Sequence, residues 1–268
     1  MPTFNYDGFK IAYEQRGRRQ GAAERPMVLI HGLLLPRRHH YPLADAIADR
    51  GNRVILIDLL GHGESERPPH SRYYSMELFA RQVVALLDHL DVDQAVIGGT
   101  SLGANVTLEV AAYAPERTRA MFMEMPVLER AAPAAAAIFL PLTIAFAEAA
   151  RPLHAFARLM RMIPRTGSLY PDVGLDVLSA DPVASAAVLH GLLTGRLAPH
   201  PDERSKLDQP TLILGHDRDI LHPFSDARAV HRELPNAELV RADSFFELRF
   251  PPNRLSDIIC DFLDEVWF

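Results

Sequence analysis

Apolar residues along the chain fall into two kinds of run. The first is short and unbroken: PMVLIHG (26–32), NRVILIDLLG (52–61), QAVIGG (94–99), RAMFMEM (119–125), PTLILGHD (210–217) and AELVRAD (237–243) alternate little between polar and apolar positions. A strand with one wet face alternates and a strand covered on both faces does not, so these six are expected as buried strands of a mostly parallel sheet. The second kind has helical spacing: YPLADAIADRG with a glycine stop, SMELFARQVVALLDHL with Ser75 as N-cap, LGANVTLEVAAYAP, FSDARAVHRELP and PPNRLSDIICDFLDEVW. Ahead of them, TFNYDG and FKIAYEQRG flank Asp7-Gly8, a pair suited to the positive φ angles of a tight hairpin, so the chain is expected to open with two antiparallel strands.

Strands alternating with helices imply a sheet covered on both faces. The alternation breaks over residues 128–205, which are rich in Ala, Pro, Leu and Met. That segment is expected as a helical cap inserted over the sheet's edge, with 1–127 and 206–268 forming one core. Its longest apolar run, AAPAAAAIFLPLTIAFA (131–147), carries Pro133 and Pro141 and falls short of the roughly 20 residues that span a bilayer. A buried or pocket-lining helix is expected there.

Composition narrows the partners. A chain of 268 residues, 48% hydrophobic, suits one large α/β domain. Its net charge of -6 offers no basic footprint for nucleic acid, and no block of like charge suggests a membrane anchor; a small apolar substrate is the expected partner. Cys260 is the lone cysteine and cannot form an internal disulfide, and MPTFNYDGFK lacks the regions of a signal peptide, which together suggest a reducing cytoplasm. No H-x-x-x-H, H-E-x-x-H or Cys/His cluster occurs, and His39-His40 are adjacent rather than on one helical face, so neither metal nor other cofactor is expected. Composition does not address oligomeric state.

The chemistry concentrates at GGTSLGAN. Gly99-Thr100-Ser101-Leu102-Gly103 is G-x-S-x-G between an apolar strand and a helix, the setting in which that motif has meaning. A sharp turn there projects the Ser101 hydroxyl alone at the carboxyl end of the sheet, beside helix N-terminal amides that favour negative charge. The plainer alternative is a Gly-rich turn with a helix-capping serine.

On this motif the chain resembles the α/β-hydrolase superfamily, and LIHGLLLP, DLLGHGESERP and PTLILGHDRDILHP follow in that superfamily's order over nearly the whole length. The resemblance implies an α/β-hydrolase fold, a mostly parallel doubly covered sheet with an inserted helical cap. It implies Ser101 as nucleophile and the backbone N–H groups of Leu33 and Leu102 as an oxyanion hole. His31 and His62 are expected to hold loops. Asp219, four residues before Pro223, takes the position of the triad carboxylate, and Asp217 is the alternative, otherwise stabilising the loop by Asx-type hydrogen bonds. A serine at the elbow also separates the chain from epoxide hydrolases and dehalogenases, which resemble this fold but carry an aspartate there.

One part of the pattern is missing. Relatives place the triad histidine after the last strand, and here RADSFFELRFPP (241–252) has Ser244-Phe245 in place of Gly-His, with no histidine anywhere after His231. Three explanations stand open. Another imidazole reaches Ser101: His222 on the acid loop, His154 or His190 from the cap, or His39 or His40. Alternatively Glu247 acts as base, which requires burial to raise its pKa; the plainer reading pairs it with Arg249. Or the site binds with little turnover. The leading expectation is a carboxylic-ester hydrolase for a small apolar ester or related carbonyl compound. A weakened ligand-binding protein, and a lyase or isomerase using the oxyanion hole without an acyl-enzyme, are the alternatives.

Overall fold

The structure, a computed structural model, describes residues 1–17, 24–217, 219–244, 247–250 and 253–268. Strands β1 (Thr3–Tyr6) and β2 (Phe9–Arg16) form the expected hairpin, with positive φ at Asp7 (50°) and Gly8 (86°). The six unbroken apolar runs are β3 (Pro26–Ile30), β4 (Arg53–Ile57), β5 (Ala95–Thr100), β6 (Thr118–Glu124), β7 (Thr211–His216) and β8 (Ala237–Ala242). They pair in the order β1-β2-β4-β3-β5-β6-β7-β8, parallel from β4 onward and antiparallel at β1/β2 and β2/β4.

In β3 to β7 the lack of alternation has the cause assigned to it: successive residues of one strand feed two different cores. Strand β8 departs from the expectation, because it is the edge strand and only its Ala242 is buried. Val28 and Ile30 of β3 pack with Phe79, Val83 and Leu86 of α2 (Met76–His89). Met27 and Leu29 pack on the other face with Leu43 of α1 (Tyr41–Asp49) and Ile259 of α10 (Arg254–Trp267). Helices α3 (Leu102–Tyr113) and α9 (Phe224–Glu233) complete the cover around Met121, Met123 and Ile213. Ser75 caps α2 by accepting from Leu78 N at 3.2 Å, and Asn253 caps α10 by accepting from Leu255 and Ser256 N; a cap of this kind contributes about 1 kcal/mol.

Between β6 and β7 lie α4 (Ala132–Glu148), α5 (Ala150–Met162), α6 (Leu169–Leu178), α7 (Pro182–Thr194) and α8 (Pro201–Arg204), where the strand-helix alternation stops. Helix α4 packs on α7 and contains Pro141. The expectation that its run would be buried or pocket-lining holds on one face only. Ala135 is buried and Phe139 lines a cavity, whereas Ile138, Leu140 and Ile144 are about half exposed. Among the described residues no single helix is long and apolar enough to cross a membrane.

Candidate active site

Strand β5 and helix α3 meet at Ser101, which holds φ 54° and ψ -108°. A non-glycine residue in that region costs about 1–3 kcal/mol and persists only where its surroundings fix it. They do so by close approach: a Cβ on Gly99 would stand 2.3 Å from Ile30 O, and one on Gly103 would stand 2.1 Å from the same atom. The strand-to-helix turn therefore closes only with glycine on both sides of the serine. Ser101 precedes the first residue of α3, yet its side chain makes no capping bond. Its Oγ instead lies 2.8 Å from His222 Nε2, so the plainer reading as a capping serine fails.

His222 and Asp219 come from the loop between β7 and α9. Asp219 Oδ1 accepts from the N–H groups of Leu221 (2.9 Å) and His222 (3.0 Å), an Asx-type turn that folds the chain back on itself. The turn places His222 Nδ1 2.8 Å from Asp219 Oδ2. A carboxylate on Nδ1 fixes the proton there and leaves Nε2 free to accept from the serine. Burial alone would push the Asp219 carboxyl up, but the His222 hydrogen bond and charge, with the two backbone donors, hold it below its ordinary value. The side chains of His222 and Asp219 are 12% and 25% exposed, so the imidazole is shielded yet reachable.

The other candidates are placed elsewhere. The Asx-type bonds expected of Asp217 are made by Asp219 itself; Asp217 pairs with Arg241 of β8, a cation opposite it across the edge pair of strands. Glu247 does not reach Ser101: its carboxylate accepts from Asp243 N (2.7 Å) and pairs with Arg254 at 2.9 Å. Nor does it pair with Arg249, which turns inward to Glu124 because that buried carboxylate has greater need of a charge partner. His154 bonds Asp181 and His190 lies exposed. His39 and His40 are buried, and desolvation pushes their pKa values down to about 2 and about 4, leaving neutral rings; His40 bonds Ile30 O. Phe245, which marks the expected histidine position, lies outside the described residues.

Leu33 and Leu102 share one cavity with Ser101. No acceptor among the described residues takes the N–H of either. The Leu33 loop is braced by His31, whose Nε2 accepts from Leu59 N at 3.0 Å and whose Nδ1 lies 2.8 Å from Gly32 O; burial pushes this imidazole down and keeps it neutral. His62 bonds Leu60 O and packs on the His31 ring, and Ser65 of the same GHGES stretch bonds Ala12 N and Asp58 O.

The cavity holds about 60 Å³ and is walled by Met76, Phe139, Leu189, Leu192 and Leu221 among others. On this measure one water needs roughly 10–15 Å³, so there is room for only a few heavy atoms. Its polar member besides Ser101, Asn105, is spoken for: Nδ2 donates to Val127 O (2.6 Å) and Leu197 O (2.7 Å), and Oδ1 accepts from Val127 N (3.0 Å). A larger cavity of about 550 Å³, lined by Arg37, Arg38, Arg161 and Arg165 among others, has none of Ser101, Asp219 or His222 in its wall.

Sequence reasoning did not single out Glu124. At the end of β6 and fully buried, it accepts from Thr100 Oγ1 and Arg249, and lies 3.2 Å from His216 Nε2, while its carbonyl oxygen accepts from Ser101 N at 2.8 Å. Burial alone would raise its pKa; the Arg249 charge and the hydrogen bonds from His216 and Arg249 hold it well below the usual carboxylate range. The readable signal was a carboxylate inside the unbroken apolar run RAMFMEM, where a charge has to find partners.

The alpha/beta hydrolase fold family model matches residues 25–162, just over half the chain, and the chain belongs to that family. Among curated relatives it is 40% identical over 76 residues to bifunctional epoxide hydrolase 2 of Mus musculus, covering 28% of this chain and 14% of that one. A Mycobacterium phage D29 relative, 32% identical over 114 residues, is covered over 38% of its length. The uncharacterized hydrolase YugF of Bacillus subtilis is 23% identical over 97% of this chain and 96% of its own. Among solved structures, the enol-lactonase of Burkholderia xenovorans LB400 superposes with a TM-score of 0.78 at 20% identity, over 98% of this chain and all of that one. That likeness establishes the fold.

Proposed function

We propose that the chain is a serine hydrolase acting on short-chain carboxylic esters or related carbonyl compounds, with Ser101 as nucleophile, His222 as general base and Asp219 as the carboxylate behind it. The supporting observation is the unbroken relay Ser101 Oγ, His222 Nε2, His222 Nδ1, Asp219 Oδ2, with 2.8 Å at both contacts. The imidazole thus comes from the acid's own loop, three residues further on.

Ser101 Oγ attacks the carbonyl carbon as its proton passes to His222 Nε2. The imidazolium is stabilised by Asp219, which stays ionised because its pKa is depressed. The oxygen that becomes negative accepts from the Leu33 and Leu102 N–H groups, donors with no acceptor among the described residues. On collapse the alkoxide leaves with the proton from His222, and a water repeats the sequence on the acyl-enzyme, releasing acid and restoring Ser101. The small apolar cavity favours a short acyl group, and residues 128–205 act as a cap whose α4 and α7 supply its outer wall. Ser101 in place of a carboxylate disfavours an alkyl-enzyme mechanism despite the partial likeness to an epoxide hydrolase.

A fluorophosphonate probe tests this reading. Labelling at Ser101 is expected, lost in Ser101→Ala and at least about a thousandfold slower in His222→Gln. Labelling that is unchanged in His222→Gln, or absent from the native chain, overturns it.

A further inference from the structure

Helices α4 and α5 are joined at a bend of 92° and carry most of their apolar side chains outward. On α4, Ile138 (46%), Leu140 (53%) and Ile144 (54%) are exposed; on α5, Phe156 (43%), Leu159 (56%) and Met162 (77%) are exposed. The α5 residues recur every three positions and form one stripe along the helix. Arg151, Arg158 and Arg161 form a second exposed stripe beside it, continued by Arg165 past the helix end. Of these, Arg165 pairs with Asp176 and Arg161 donates to Ser179 O.

The charge here opposes that of the molecule. Between residues 128 and 168 there are five arginines (130, 151, 158, 161, 165) against Glu129 and Glu148, in a chain whose net charge is -6. An apolar stripe flanked by arginines is the chemistry of a helix lying in the headgroup layer of a bilayer: the apolar side chains enter the acyl boundary and the guanidiniums meet lipid phosphates. A second copy of this acidic chain would meet the stripe with less favourable chemistry, because the same arginines would face each other across an isologous contact.

We propose that the outer face of α4 and α5 docks on an anionic lipid surface. Helix α4 then touches both compartments, with Ile138, Leu140 and Ile144 toward lipid and Ala135 and Phe139 toward the cavity that holds Ser101. An apolar substrate dissolved in the bilayer would have only the thickness of one helix to cross. The docking itself is independent of the catalytic reading and is measured without turnover.

Co-sedimentation of the full chain with phosphatidylcholine vesicles, with and without phosphatidylglycerol, tests it. Binding about tenfold stronger to the anionic vesicles and weakened by salt is expected. Leu159→Glu and Met162→Glu are each expected to lower it about tenfold at unchanged melting temperature. Arg151→Ala with Arg158→Ala is expected to remove the preference for anionic lipid. No binding to either vesicle, or binding indifferent to Leu159→Glu, overturns the proposal. So does a lipid-free dimer in sedimentation velocity that Leu159→Glu dissociates, which would assign the face to a second copy.

Discussion

Glu124 and Asp219 both reach the serine elbow, the first through Thr100 and the backbone of Ser101, the second through His222 and the Ser101 hydroxyl. Glu124 is fully buried and bonded to Arg249 and to the imidazole of His216. Asp219 is a quarter exposed and bonded to the imidazole of His222, whose other nitrogen lies 2.8 Å from Ser101 Oγ. Nearness to the serine does not separate them. The position of the partner does: His222 stands between Asp219 and the Ser101 hydroxyl, whereas Glu124 meets the turn through Thr100 Oγ1 and the Ser101 backbone. The Glu124 assembly is therefore suited to hold the turn and the Asp219 assembly to act through the hydroxyl.

The largest effect should come from the imidazole. In His222→Ala, kcat/KM for a short p-nitrophenyl ester is expected to fall roughly 10⁴-fold or more with little change in melting temperature. A fall of less than tenfold would mean that Asp219 and Glu124 are both structural. Asp219→Asn should cost roughly 10³- to 10⁴-fold, because the amide no longer fixes the imidazole's tautomer, whereas Asp217→Asn should leave steady-state rates near those of the parent.

Glu124 should answer in stability instead. Arg249→Met removes one member of a buried pair and is expected to cost about 3–5 kcal/mol in urea unfolding. The pH dependence carries a sign. With Arg249 present, the folded pKa of Glu124 lies below its unfolded value, so the pair's contribution is complete above the ordinary carboxylate value and is lost as pH falls through the folded one. Without Arg249 burial works in the opposite direction, so the deficit of the variant should be larger at pH 7 than at pH 3. A deficit independent of pH would break the contrast drawn between the two carboxylates. The smallest effect belongs to Glu247→Gln: its partner Arg254 is nearly half exposed, so about 1 kcal/mol or less of stability and less than about a twofold change in kcat/KM are expected.

The sheet was legible in the sequence because strands covered on both faces cannot alternate, and the elbow because Gly99 and Gly103 have no substitute where Ile30 O approaches. The placement of the imidazole was not. His222 stood among five alternative histidines, and the superfamily's habit drew attention to positions 245 and 247. What brings His222 to Asp219 is a turn closed by two backbone N–H bonds, and contacts three residues apart in a loop depend on such local geometry, which no periodicity encodes. Helix α4 misled for a related reason. A helix apolar all round reads as buried, and whether both faces are covered is decided by its neighbours.

Asn105 has a consequence for the architecture as a whole. One amide group receives Val127 on entry to the inserted helices and Leu197 after α7, so two chain positions far apart in sequence are separated in space by no more than the span of two hydrogen bonds. The segment between them starts and ends beside the same side chain of α3. A loop of almost any length fits between such posts, because the cost of closing it grows only with the logarithm of its length. Chain closure would therefore permit a short turn joining 127 to 197, but Ala187, Val188 and Leu192 of α7 pack in the same cluster as Val28, Ile30 and Phe79, so such a cut would open that core and take the outer wall of the cavity with it.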